Sequence, residues 1–231
     1  MEPFDVLGSA WLDYWHERPV APLLIHTSYG TVEEMPVDYF FREINSFPSV
    51  EQYALRLCQG PVLDVGAGVG GHALFLQQQG LTVTTLEMSS AGVKIQQERG
   101  VERIIHTDYR EYQGKGFDTV LLLMNGIGIV GSLTGLRDFF QLAKGWISPV
   151  GQLLFDSSDI AYLYEDIDRP ANGYYGEVRY QYEYRGCLGE WFSWLYVDEV
   201  TLQQVAQEAG WLTQIVFQDD QDQYLVRATL R

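Results

Sequence analysis

The sequence predicts an α/β protein built on a doubly wound, mostly parallel β-sheet, and two observations carry this prediction. Short apolar runs alternate with segments of helical periodicity after residue 49, and such alternation requires parallel strands joined by right-handed crossovers. The apolar run Pro61–Val65 ends in the glycine cluster Gly66–Gly71, which is typical of a strand, a tight turn and a helix that approach a ligand closely. With 231 residues and 46% hydrophobic composition, the chain can bury one substantial core.

Charge and composition restrict the function. The net charge is −16, from 31 acidic and 15 basic residues, and this excess of acid repels a phosphate backbone. No apolar run reaches the roughly 20 residues of a membrane span, and the first residues lack the basic start of a signal peptide. Cys58 and Cys187 have no metal-ligand spacing. We therefore expect a cytoplasmic protein that binds no nucleic acid, no membrane and no metal.

Residues 1–48 are predicted to form an N-terminal helical cap segment. Val6, Ala10 and Tyr14 recur at helical spacing on one face, so an amphipathic helix should dock here on the rest of the protein. Pro36–Phe41 predicts a second, short helical turn. Two roles fit the segment about equally well: a lid over a ligand site, or padding on an exposed face of the sheet.

The main domain, residues 49–231, is predicted to open with a helix. Ser49–Gln52 has the pattern of a capping box, and Gly60 ends the helix before the first strand. The second to fifth strands are predicted at Gly80–Glu87, Arg103–Asp108, Phe117–Met124 and Gln152–Asp156, the last after a turn at Pro149–Gly151. Later helices should begin at the caps Ser89 or Ser90, Ser132 and Asp198. Residues 212–217 and 224–230 predict a final antiparallel pair.

The least generic stretch is aromatic. Val178, Tyr180, Tyr182 and Tyr184 alternate with polar residues, so residues 174–197 predict a β-hairpin inserted after the fifth strand. Such a hairpin is too apolar to stand free in water. Its aromatic face should line a ligand pocket or, alternatively, form the interface of a homodimer.

Two cofactor classes fit the glycine turn. Gly66, Gly68 and Gly71 have the spacing of dinucleotide-binding folds, while Gly66, Gly68 and Gly70 fit the spacing G-x-G-x-G. Spacing alone leaves both open. Asp64 favours a cationic ligand, because a carboxylate so close to the turn would repel a pyrophosphate.

The run Val62–Gly70 closely resembles the first motif of class I S-adenosylmethionine-dependent methyltransferases, from which it departs mildly at Val69. The resemblance covers about residues 49–231, with a second mild departure at Val150. It implies a seven-stranded sheet with an antiparallel last strand, and S-adenosyl-L-methionine as the cofactor. It places at the cofactor Asp64, Gly66, Ala67, Gly68, Gly70, Glu87, Met88, Asp108, Tyr109, Met124 and Asn125. Glu87 would then bind the ribose hydroxyls, and Asp108 would face the adenine.

A general base is optional for methyl transfer, because the cofactor supplies the reactive carbon. The candidate catalytic residues are Asn125, Asp156, His72 and His26. Asp156 could orient the acceptor from the end of its strand or simply cap a turn, and His72 suits helix packing better than catalysis. We expect methyl transfer to a small-molecule acceptor. The alternatives are a nicotinamide-dependent oxidoreductase and a non-catalytic binding protein on the same fold.

Overall fold

A computed structural model describes residues 5–165, 168–170, 173–220 and 222–231. The α-helices are α1 (Val6–Trp15), α2 (Ser49–Leu57), α3 (Gly71–Gln78), α4 (Ser90–Arg99), α5 (Leu133–Trp146) and α6 (Glu199–Glu208). The strands are β1 (Leu23–Thr27), β2 (Val32–Met35), β3 (Val62–Val65), β4 (Val83–Glu87), β5 (Ile104–His106), β6 (Phe117–Leu122), β7 (Ile147–Ser158), β8 (Glu177–Tyr184), β9 (Cys187–Leu188), β10 (Phe192–Leu195), β11 (Trp211–Gln218) and β12 (Gln223–Leu230). No described helix is long and apolar enough to cross a membrane.

The main sheet has seven strands in the order β11-β12-β7-β6-β3-β4-β5. Strands β3 to β7 run parallel, and β12 is antiparallel to β7. The predicted fold class, a mostly parallel seven-stranded sheet with an antiparallel last strand, is therefore confirmed. Because β3, β4, β6 and β7 are parallel, their carboxyl ends lie at one edge, here called the carboxyl edge. Ligands of open α/β sheets bind at this edge.

Helices cover both faces of the main sheet. All four residues of β3 are buried, as expected for a strand packed on both sides. On one face, the helix α5 buries Phe139, Phe140 and Trp146 against the sheet. The indole nitrogen of Trp146 donates to the carbonyl oxygen of Tyr112 at 3.1 Å, so this large side chain is buried with its polar atom paired. The resulting core fixes the carboxyl edge.

A second, antiparallel sheet has the order β10-β8-β1-β2, with β9 beside β8. Its β8 and β10 confirm the predicted aromatic hairpin, and α1 confirms the predicted N-terminal helix. The leading segment is not only helical, however, because it also supplies β1 and β2. Strand β1 pairs with β8, so that Leu23 lies opposite Tyr184 and Thr27 opposite Tyr180. The leading segment and the aromatic hairpin thus form one sheet.

Two local predictions are wrong. Ser49 does not cap α2: the N-cap is Pro48, which makes no side-chain cap hydrogen bond, and the amide of Gln52 donates to the carbonyl oxygen of Phe47 at 2.8 Å. The segment Pro149–Gly151 is not a turn but part of β7, which continues through a register shift in its pairing with β6. The predicted caps Ser89, Ser132 and Asp198 are confirmed, since each side chain accepts a backbone N–H hydrogen bond at the start of its helix.

Candidate active site

The glycine turn joins β3 to α3 at the carboxyl edge. Gly66 and Gly68 have φ angles of +71° and +56°, a left-handed conformation that favours glycine. The backbone nitrogens of Gly66 and Ala67 donate to the carbonyl oxygen of Leu86 on β4 at 2.9 and 3.1 Å, which holds the turn against the sheet. A Cβ built on Gly66 would meet no atom closer than Ile129, at 3.9 Å. The turn therefore has open space on its ligand side.

Gly70 is confined in a different way. Its φ is +82°, and a Cβ there would lie 2.9 Å from a methyl of Val101 and 3.0 Å from the side chain of Gln96. The glycine at this position thus serves the close packing of the turn against α4 and the strand that follows it.

Three buried acids lie within the last three residues of β3, β4 and β7 and are called the edge carboxylates below: Asp64, Glu87 and Asp156. Their exposed fractions are 2%, 6% and 0%. Burial raises the pKa of Asp64 and of Asp156 to about 6, and that of Glu87 to about 7. Oδ2 of Asp64 is also one of the few buried side-chain atoms in the described residues with no hydrogen-bond partner. Ionising these acids is therefore costly unless a cation or further hydrogen-bond donors bind beside them.

Glu87 lies beside the glycine turn. Its Oε2 accepts a hydrogen bond from the backbone nitrogen of Gly68 at 2.7 Å, and its Oε1 accepts one from that of Ser89 at 2.7 Å. A carboxylate offers about four lone-pair positions, so Glu87 can accept two more hydrogen bonds. The next residue, Met88, is 69% exposed.

Asp108 and Tyr109 follow β5 at the same edge. The guanidinium of Arg110 binds the Asp108 carboxylate, with Nη2 and Oδ2 2.6 Å apart, and the hydrogen bonds from Arg110 lower the pKa of Asp108. Tyr109 packs edge-on against Phe139, with 5.9 Å between the ring centroids. Any ligand group that binds the Asp108 carboxylate has to share it with Arg110.

The loop after β6 is held by Asp156. Met124 and Asn125 both have left-handed backbones, with φ of 66° and 52°, a strained conformation for residues other than glycine. Oδ2 of Asp156 accepts hydrogen bonds from the backbone nitrogen of Asn125 at 2.9 Å and from the amide of Gln223 at 2.8 Å. The amide oxygen of Asn125 accepts one from Ser158 at 2.9 Å. Asp156 therefore positions this loop.

Neither candidate histidine has a free ring. Nε2 of His72 lies 2.7 Å from Oε2 of Glu51, whose other oxygen accepts a hydrogen bond from Arg42 at 3.0 Å. Nε2 of His26 lies 2.7 Å from Glu183. By the alternation of strand side chains, His26 also projects from the face of the second sheet opposite to that of Thr27. Sequence reasoning missed Glu51 and Arg42, because no local pattern marks partners that meet only in the fold.

The leading segment covers the glycine turn. Trp11 of α1 is 4% exposed, and its ring lies 3.7 Å from where a Cβ on Gly68 would stand and 3.3 Å from the same point on Gly92. Ser89 and Asp5, the N-cap of α1, are hydrogen-bonded at 2.5 Å. The indole nitrogen of Trp11 is buried without a partner among the described residues. The helix α1 thus packs directly on the turn.

The aromatic hairpin reaches the same edge from the other side. A Cβ on Gly128, in the 3-10 helix Gly126–Val130, would lie 2.0 Å from the indole nitrogen of Trp194. Trp194 thus packs against the backbone of the loop that follows β6. The helix α1 and the second sheet thus contact the turn and the loop that follow β3 and β6 at the carboxyl edge.

A strand, a glycine turn and a helix, with an acid at the end of the next strand, define an α/β protein that binds a nucleoside-containing cofactor. The comparisons with known proteins narrow this class. Residues 63–155 match a family described as a methyltransferase domain. The chain is also similar to a SAM-dependent methyltransferase from Bacteroides fragilis, crystallised with S-adenosyl-L-homocysteine, at 36% identity and a TM-score of 0.91, over 98% of this chain and 94% of that one. The chain belongs to the S-adenosylmethionine-dependent methyltransferases.

More distant structures share the fold. The CcbJ methyltransferase from Streptomyces caelestis is 13% identical, with a TM-score of 0.63 over 81% of this chain and 94% of that one. SAM-bound CalS10, an amino pentose methyltransferase from Micromonospora echinaspora, is 17% identical, with a TM-score of 0.56 over 80% and 92%. No curated protein matches the sequence.

S-adenosylmethionine is the cofactor, and the site fits it. The cofactor carries a sulfonium and an ammonium, both cationic, and no phosphate. The open glycine turn offers backbone groups, and Asp64, whose Oδ2 has no hydrogen-bond partner among the described residues, stands in β3 just before it. Buried acids with raised pKa are stabilised in their ionised form when a cation binds beside them.

Proposed function

We propose that this methyltransferase acts on a small-molecule acceptor bound at the carboxyl edge. The observation that carries the proposal is the packing of two aromatic side chains at this edge, Trp11 on the glycine turn and Trp194 on the loop after β6. Aromatic side chains beside a cofactor turn suit a compact acceptor. The net charge of −16 opposes a nucleic-acid substrate as well.

In this proposal, each predicted residue contacts a different part of the cofactor. The backbone of Gly66 to Gly70, with Ala67, passes close beneath it; Glu87 accepts the ribose hydroxyls, and Asp64 faces its cationic part. Asp108 takes the adenine amino group in competition with Arg110. Met88, Tyr109, Met124 and Asn125 line the remaining sides.

Catalysis in this proposal is mainly alignment. When bound, S-adenosylmethionine supplies a methyl group on a sulfonium, which an acceptor lone pair takes by in-line displacement. The chain has to hold the acceptor in line and exclude water. Asp156 contributes as a positioning residue, through its hydrogen bonds to the Asn125 loop. His72 is bound to Glu51 and is not assigned as a base.

Calorimetric titration tests the proposed site. S-adenosylhomocysteine should bind and NADH should not. Glu87→Ala should weaken S-adenosylhomocysteine by about 1.5–3 kcal/mol, because ribose hydroxyls lose a charged acceptor in a buried place. The matched control is Glu102→Ala, since Glu102 is an exposed acid just before β5. An unchanged dissociation constant in Glu87→Ala removes Glu87 from the site, and binding of NADH alone refutes the cofactor assignment.

A further inference from the structure

Three tyrosine hydroxyls form a chain that ends at a carboxylate. The hydroxyl of Tyr180 lies 3.2 Å from that of Tyr196 and is also hydrogen-bonded to Tyr29. Tyr29 donates to Oε1 of Glu33 at 3.5 Å, and Thr31 donates to the same oxygen at 3.0 Å. Tyr29, Tyr180, Tyr196 and Glu33 are called the tyrosine chain below. They come from the β1–β2 turn, β8, the segment after β10, and β2, so the chain exists only in the folded second sheet.

The tyrosine chain faces the carboxyl edge. Tyr180 lies opposite Phe192 in the pairing of β8 with β10, so it shares a face of the sheet with Trp194, two residues further along β10. Trp194 packs on Gly128 of the loop after β6. Tyr162, which follows the carboxyl end of β7, interacts electrostatically with both Tyr29 and Tyr196. The hydroxyls therefore lie on the face of the second sheet that packs on the loop after β6, beside the proposed acceptor site.

The charge of this surface selects one class of acceptor. The charged side chain that is hydrogen-bonded to the chain is the carboxylate of Glu33. Arg179, the nearest basic residue along β8, points to the other face and lies over Trp191 at 5.6 Å. A carboxylate or phosphate on the acceptor would meet no cation from these elements. A protonated amine instead meets a carboxylate, hydroxyl oxygens and aromatic faces.

Aromatic rings complete the surface. The rings of Tyr182 and Phe192 lie 5.1 Å apart, and those of Phe192 and Trp194 lie 6.3 Å apart. Burial raises the pKa of Tyr29, Tyr180 and Tyr196, so their hydroxyls stay protonated and can both donate and accept. Neutral phenols and ring faces hold an amine without the cost of burying a second ionised group.

We infer that the tyrosine chain binds the amino group of the acceptor, which makes the protein an N-methyltransferase for an amine. This inference rests on the proposed function. The bound ammonium first loses one proton along the hydroxyls to Glu33, which is exposed to solvent, and this frees the nitrogen lone pair. The lone pair then forms the new C–N bond as the donor C–S bond breaks, and the electron pair of the C–S bond returns to sulfur.

Binding of three probes with the same ring tests the inference. Protein saturated with S-adenosylhomocysteine is titrated with benzylamine, benzyl alcohol and benzoate, and binding is followed by saturation-transfer NMR. Benzylamine should bind at least about tenfold more tightly than either other probe, a difference of about 1.4 kcal/mol. Tyr196→Phe and Glu33→Gln should each remove most of this preference. Tyr53→Phe is the matched control, because Tyr53 stacks on Phe217 away from the second sheet.

Each outcome is decisive. Equal or tighter binding of benzyl alcohol or benzoate, or binding of none of the three, overturns the inference. So does an unchanged preference in either variant. The thermal midpoint and the S-adenosylhomocysteine affinity of each variant show whether it is folded and loaded. If the unaltered protein fails to bind S-adenosylhomocysteine, the proposed function is refuted independently of this inference. The three probes are then titrated into the cofactor-free protein, where the preference for benzylamine still tests the tyrosine chain.

Discussion

The ion pairs of Glu51 hold the leading segment against the helix after the glycine turn, and Glu51→Ala tests their strength. Glu51 is 1% exposed, and the Arg42 and His72 side chains bonded to it are 11% and 12% exposed. Removing the acid leaves two largely buried cationic groups without their partner. Breaking a buried pair in this way costs about 3–5 kcal/mol. At about 2–4 °C per kcal/mol for a chain of this size, the unfolding midpoint should fall by about 6–20 °C.

Urea unfolding followed by circular dichroism at pH 6 measures this loss directly. Glu51→Gln keeps an oxygen for Arg42 and should lose less, about 1–3 kcal/mol, while Glu102→Ala should change little because Glu102 is exposed. A loss below about 1 kcal/mol in Glu51→Ala would refute the reasoning, since only a well-hydrated pair is worth so little.

The pH dependence of the same variant gives a second check with a defined sign. Glu51 holds the pKa of His72 above its ordinary value of 6.5, against the opposing effect of burial. The stabilisation is therefore complete below pH 6.5 and is lost as the pH rises through the folded pKa of His72. The gap between the unaltered protein and Glu51→Ala should narrow above that pH. A gap that widens with pH would show that the pair does not titrate as described.

Three further predictions concern the carboxyl edge. Asp64→Asn should raise the unfolding midpoint of the cofactor-free protein at pH 8, because burial destabilises the ionised acid. The same variant should bind S-adenosylmethionine about tenfold more weakly, because the cationic cofactor loses a negative partner. Tighter binding would contradict the proposed contact between Asp64 and the cofactor. The edge carboxylates have folded pKa values of about 6 to 7 against ordinary values of 3.8 to 4.5. They therefore contribute stability at low pH that is lost as the pH rises towards 7. Differential scanning calorimetry of the cofactor-free protein from about pH 5 to 7.5 should show a falling unfolding midpoint, and a flat midpoint would contradict this prediction. Gly128→Ala should lower the free energy of unfolding by about 1–3 kcal/mol and shift tryptophan fluorescence, because its Cβ would meet Trp194 at 2.0 Å. The control is Gly145→Ala, where a Cβ would have nothing within 4 Å. Equal unfolding midpoints for the two variants would contradict the contact between Gly128 and Trp194.

The main sheet is predictable from sequence because each of its units is local. A buried run such as Val62–Val65, a glycine turn and a helix stand together in the chain, and the pattern needs no distant partner. Strands β1 and β2 are not predictable in this way. They are short, β2 is mostly exposed without alternation, and prolines flank them at Pro22 and Pro36. Their strand conformation depends on β8, which lies far along the chain.

The same distinction divides the candidate site. The glycine turn and Glu87 are recognisable from local spacing, and in the structure they are adjacent, with Gly68 donating to Glu87 at 2.7 Å. The capping-box prediction at Ser49 failed because α2 begins with Pro48 as its N-cap and the amide of Gln52 donates to the carbonyl oxygen of Phe47 instead. Alternation placed Tyr180 on one face of a hairpin, but a sequence pattern does not reveal which hydroxyls face it from β1 and β2.

The second sheet also determines when in folding the site can be completed. Tyr184 of β8 is hydrogen-bonded to Asp13 of α1 across 171 residues of sequence. Closing so long a loop has an entropic cost that local contacts do not offset. Contacts between residues this far apart in sequence slow folding. During synthesis, α1 and β1 leave the ribosome long before β8 exists, so they wait without their partner while the parallel sheet forms. The packing of the second sheet at the carboxyl edge is therefore a late event, and a nascent chain that stalls before β8 exposes an unpaired β1.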